Sequence, residues 1–84
     1  MRYKINKGYI SEQLDGKTVI FDSEESVLYT FNETASYIFK KIKSQTDENK
    51  IIELVIKRYQ IEPKKAKRDL RDLVVELKKK KIIS

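Results

Sequence analysis

At Asn32 the spacing of apolar residues changes, and that change restricts the chain more than any other feature. Before it, apolar and polar residues alternate in short stretches broken by turn-forming residues, which is the pattern of half-buried strands. After it, apolar residues recur at three- and four-residue intervals, which is the pattern of amphipathic helices. A sequence whose period switches once, from two to 3.6, predicts an α+β fold in which a small sheet is completed before any helix begins.

The strand half contains Tyr9–Leu14, Thr18–Asp22 and Ser26–Phe31. Asp15-Gly16 between the first two marks a tight hairpin turn, and Ser23-Glu24-Glu25 breaks the pattern before the third. The order predicts a three-stranded antiparallel meander with the third strand at an edge. Val27, Tyr29 and Phe31 alternate onto one face and Ser26, Leu28 and Thr30 onto the other; the larger set is expected to face the core. Leu28 is then either a pocket-wall residue or packed beneath a neighbouring loop.

In the helical half, Asn32 suits an N-cap, with Glu33 in the first turn and Ala35, Ile38, Phe39 and Ile42 on one stripe, giving a helix over 33–43. Thr46 is expected to cap a second helix carrying Asp47 and Glu48 in its first turn and Ile51, Leu54, Val55 and Tyr59 on its buried face. Pro63 suits the first position of a third helix, whose core face is Ala66, Leu70, Leu73, Val74 and Leu77. Ile82-Ile83 are expected to fold back onto the body. Eighty-four residues arranged this way make one domain, residues 1–84, with little apolar surface to spare beyond the core.

Composition removes most catalytic chemistry. The chain has no Cys and no His, so thiolate nucleophiles, thiolate-held zinc and imidazole proton transfer are excluded. Carboxylate pairs such as Asp22 with Glu24, or Asp69 with Asp72, fall on expected exposed turns or helix faces with nothing to desolvate them. No catalytic residue, metal ligand or cofactor is expected. No long apolar run follows the charged start Met1-Arg2-Tyr3-Lys4, and a cytoplasmic protein is expected. The net charge of +6 is uneven: residues 62–84 hold nine basic against four acidic residues. Such a balance suits nucleic acid, an anionic membrane or an acidic peptide.

Phe31-Asn32-Glu33-Thr34-Ala35-Ser36-Tyr37-Ile38-Phe39 resembles the Leu-Asn-x-Thr-Gly-Ala-x-Ile-Trp passage joining the last strand to the first helix in the PqqD-like family. Gly16–Asp22 followed by Val27-Leu28-Tyr29 is similar to that family's strand pair. Asp69-Leu70, Leu73-Val74, Leu77 and Lys81-Ile82-Ile83 resemble its Asp-Val-x-x-Phe-Leu-x-x-Leu-x-x-x-Gly-Leu-Leu close, although Lys81 stands where the family has Gly. The resemblance implies a winged-helix-like module that recognises ribosomally made precursor peptides. Such a module binds the leader segment and presents it to a modifying enzyme or a leader peptidase, in pathways that include radical enzymes and lasso peptides.

The resemblance also implies a groove between the third strand and the third helix. The expected leader-binding residues are Ser26, Val27, Leu28, Tyr29 and Thr30 on the strand, and the stripe Lys67, Arg71, Val75 and Lys78 on the helix. An exposed Val75 would grip an apolar leader residue while Lys67 and Arg71 hold an acidic one; alternatively Val75 belongs to the core and the lysines only solubilise. Asp69 either meets a peptide donor or pairs with Lys65. The competing reading is a winged-helix DNA-binding protein, disfavoured by Asp47, Glu48 and Glu53 on the helix that would read bases.

Overall fold

The computed structural model describes residues 3–6, 8–14, 17–21 and 27–84, without the side chains of Leu14, Val27 and Leu28. Three strands, β1 (Ile10–Leu14), β2 (Lys17–Phe21) and β3 (Val27–Phe31), precede three helices, α1 (Glu33–Lys43), α2 (Glu48–Tyr59) and α3 (Pro63–Lys79). The sheet is antiparallel in the order β1-β2-β3. Leu14 pairs with Lys17, leaving two residues for the connection. The expected turns at Asp15-Gly16 and Ser23–Glu25, and the expected strand residues Asp22 and Ser26, lie outside the described residues.

The β2–β3 register runs Thr18↔Phe31, Val19↔Thr30 and Ile20↔Tyr29, then shifts so that Phe21 opposes Val27. Leu28 is the extra residue of that shift. The expected alternation of Val27, Tyr29 and Phe31 on one face is therefore interrupted, because a bulge breaks the period of two. It holds from Tyr29 onward: Phe31 is buried, Tyr29 is half-buried and Thr30 is exposed.

Asn32 caps α1, its Oδ1 accepting from the Ala35 N–H at 2.8 Å. α1 closes with two bonds, from Gln45 N–H to the Ile42 carbonyl and from Thr46 N–H to the Lys41 carbonyl, both 3.0 Å, with Gln45 left-handed at φ 60°. This corrects the expected cap of α2. Thr46 is the last link of the α1 terminus, and Asp47, extended, caps α2 by accepting from the Asn49 N–H at 3.1 Å. α3 ends in the same way: Lys81 N–H bonds the Lys78 carbonyl at 3.0 Å and Ile82 N–H the Leu77 carbonyl at 2.8 Å, with Lys81 at φ 60°. This Schellman closure brings Ile82 against Leu77.

The core unites all three helices with the inner face of the sheet. Phe31 is its aromatic centre, 5.1 Å from the Phe39 ring and 4.7 Å from the Tyr29 ring between centroids. Ile51 and Val55 are the buried residues of α2, while Leu54 and Tyr59, also expected there, are only half-buried. Ser36 and Thr18 are buried polar residues joined across the layers, the Thr18 N–H donating to Ser36 Oγ at 2.8 Å.

Ile82 and Ile83 fold back, as expected, onto a partner that the sequence did not announce. Ile5 and Ile83 form an antiparallel bridge. Asn6 N–H reaches the Ile82 carbonyl at 2.8 Å and Ser84 N–H the Lys4 carbonyl at 3.0 Å. Tyr3 is buried beside this zipper and its hydroxyl donates to Glu48 at 3.2 Å.

Candidate peptide-binding groove

β3 has a hydrogen-bonded neighbour on one side only. β2 occupies that side, and among the described residues no strand pairs with the other. Among the described residues its outward N–H and C=O groups thus have no strand partner, which is the arrangement to which an extended segment can add. β1 is the opposite edge of the sheet; β3 is the edge that runs directly into α1. A groove of about 270 Å³ lies there, between Tyr29, the first turns of α1 and one flank of α3.

The groove is apolar below and acidic on one wall. Tyr29, Ala35, Ile38 and Leu73 supply carbon surface, while Asp69, Asp72 and Glu76 stand on the α3 side at spacings of three and four residues, which places them on one helix flank. Lys65 is the one cation lining this groove among the described residues, and Asp69 already holds it at 3.2 Å. Burial, and then the Glu76 carboxylate, push the Tyr29 phenol above its ordinary pKa. The Lys80 ammonium lies 5.5 Å from the centre of the Tyr29 ring. Asn32 lines the groove, but its carboxamide oxygen is committed to the α1 cap.

The expected site residues divide between two places. Val27, Leu28, Tyr29 and Thr30 are in β3, whereas Ser26 and the side chains of Val27 and Leu28 lie outside the description. Lys67, Arg71, Val75 and Lys78 do not border the groove beside Tyr29; they line a separate hollow of about 780 Å³ on the other flank of α3, with Tyr3, Glu48 and Ile52. The stripe and Tyr29 of the third strand thus line different hollows. A helix with a central core stripe has two flanks, and spacing alone does not tell which one a strand approaches.

Asp72 and Glu76 are the groove residues that this reading missed; their signal was their spacing from Asp69 on the complementary flank. Val75 is 54% exposed, which removes its core alternative. Asp69 takes the ion-pair alternative with Lys65.

Comparison with known proteins bears on the family and the fold. Two solved structures share the architecture at 20% sequence identity. One is TbiB1 in complex with the TbiA(beta) leader peptide, with a TM-score of 0.85 over 96% of this chain and 94% of that one. The other is lasso peptide synthetase B1 complexed with the leader peptide, with a TM-score of 0.86 over 100% of this chain and 99% of that one. A comparison with curated protein sequences finds no match. The family described as coenzyme PQQ synthesis protein D (PqqD) matches residues 17–83, which span β2, β3 and all three helices, and the chain belongs to that family.

Proposed function

We propose that this protein is a non-catalytic module that binds the leader segment of a ribosomally made precursor peptide and delivers it to a modifying enzyme or leader peptidase, working in the cytoplasm. The observation that carries the reading is the open β3 edge beside a groove walled by α3. The fold is shared with two proteins solved with leader peptides, and the second of them, a lasso peptide synthetase B1, favours a lasso-peptide pathway as the setting.

Strand addition supplies backbone hydrogen bonds that are indifferent to leader sequence, so selectivity must come from side chains that enter the groove. An apolar leader residue would cover Leu73 and the Tyr29 ring. Two carboxylates that have no ion-pair partner among the described residues, Asp72 and Glu76, favour a Lys or Arg next to it. This reverses the acidic leader expected from Lys67 and Arg71, which stand on the other flank.

The DNA-binding reading gains no support. No helix among the described residues is long and apolar enough to cross a membrane. The test is calorimetric titration with the precursor peptide encoded beside the gene. Wild-type protein should bind its leader portion, and Asp72→Lys with Glu76→Lys should weaken it several-fold while leaving the melting temperature in place. Absence of binding to the precursor would overturn the function; unchanged affinity in the double variant would overturn only the groove's charge preference.

A further inference from the structure

The hollow on the outer flank of α3 is the larger of the two described and shares only Lys65 with the leader groove. Its lining includes the buried Val74, the half-buried Ile52 and Val75, the last being one of two large apolar residues exposed by more than half among those described. Lys67, Arg68, Arg71 and Lys78, all exposed, line the same hollow, with Arg71 and Lys78 one helical turn from Val75 and Lys67 and Arg68 two turns. None of the four has an ion-pair partner among the described residues; the ion pairs there join Lys65 to Asp69 and Lys50 to Glu53. Of the acids at the rim, Glu48 is already engaged by the Tyr3 hydroxyl. Cations gathered around an exposed apolar residue repel one another in the free protein, and an acidic partner surface relieves that repulsion as it covers the apolar residue.

We infer that this hollow docks the enzyme that acts on the leader-bearing peptide, through an acidic surface patch with an apolar residue set against Val75. The inference rests on the leader-binding reading, because delivery requires two surfaces that can be filled together. The geometry meets that requirement: Asp69, Asp72 and Glu76 face the leader groove, and Lys67, Arg71 and Val75 face away from it on the same rigid helix. The charges also differ, so an acidic enzyme patch is repelled from the leader groove and a cationic leader residue from the hollow.

The experiment measures two affinities for the full chain, one for the purified leader peptide and one for the purified modifying enzyme or leader peptidase encoded beside it. The variants are Val75→Glu and the pair Lys67→Glu with Arg71→Glu. All three positions are exposed, so circular dichroism melting should stay near wild type. The expected result is at least a tenfold loss of enzyme affinity in both variants, with leader affinity within twofold of wild type. Loss of leader affinity with enzyme affinity intact would overturn the inference and assign the hollow to the leader. Wild-type affinity for both ligands would overturn it as well. So would unchanged enzyme binding accompanied by loss of binding to duplex DNA or to phosphatidylserine vesicles, each measured in parallel. If wild-type protein binds the enzyme through this hollow but no leader, the leader-binding reading fails while the docking surface stands.

Discussion

Ser36→Ala removes one hydroxyl and should cost far more than an exposed serine does. Both Ser36 and Thr18 are 3% exposed, and the 2.8 Å bond from the Thr18 N–H to Ser36 Oγ spans the sheet and α1. With alanine in place that N–H loses its acceptor at a site only 3% exposed, so the folded state keeps a buried donor unsatisfied while the unfolded state hydrates it. The expected loss is about 1–3 kcal/mol, against a total of roughly 4–12 kcal/mol for a chain of this length. Each kcal/mol lowers the Tm by about 4–8 °C in a domain of this size. Urea unfolding followed by circular dichroism should show a lower midpoint and an unchanged m-value. The control is Ser44→Ala, whose hydroxyl donates to the Lys40 carbonyl at 3.0 Å on the surface, and whose loss should stay within about 0.5 kcal/mol. If the two alanine variants unfold at the same urea concentration, the buried bond is not what joins β2 to α1 and the reasoning fails. Because Thr18 lies opposite Phe31, the same bond sets where β3 meets the helices.

Three further outcomes follow from the same geometry. Gln60 and Lys81 both hold left-handed backbone, at φ 51° and 60°, so Gln60→Gly and Lys81→Gly should each raise the urea midpoint by roughly 0.5–1 kcal/mol in stability, whereas Gln60→Ala should not. Burial, the Glu48 charge and the hydrogen bond to it push the Tyr3 phenol up to about 12. Its folded pKa therefore exceeds the unfolded value near 10, and the stability this group contributes is complete below pH 10 and lost as pH rises toward 12; Tyr3→Phe should flatten that part of the stability profile, and the last phase of the phenolate absorbance titration should vanish with it. Leader binding carried mainly by backbone bonds should weaken only mildly between low and moderate salt, whereas a steep salt dependence in calorimetry would point to phosphate-like electrostatics instead.

Much of the fold was legible because its boundaries carry chemistry. Asn32 and Pro63 fix the starts of α1 and α3, and the stripe Ala66, Leu70, Leu73, Val74, Leu77 emerged intact as the buried face. The cap of α2 was misread by one residue because Thr46 and Asp47 are both good caps, and only the closing bond of α1 decides between them. None of the left-handed residues at Gln45, Gln60 and Lys81 is a glycine, so the usual mark of a helix end was missing. The zipper of residues 3–6 with 82–84 joins opposite ends of the chain over too few residues to show a period.

The candidate site was less legible than the fold. Its strand followed from topology, but its helical wall depended on which flank of α3 faces Tyr29, a matter of packing that a helical wheel leaves symmetric. The bulge at Leu28 is likewise a property of the paired strands and not of either alone.

The most direct measurement of strand addition at β3 is calorimetric binding of leader peptides carrying a single N-methyl group, moved one residue at a time along the segment. An added strand directs every second amide at β3. The account predicts affinity losses of tenfold or more at alternate positions and near wild-type binding between them. Losses every third or fourth residue, or none at any position, would contradict it.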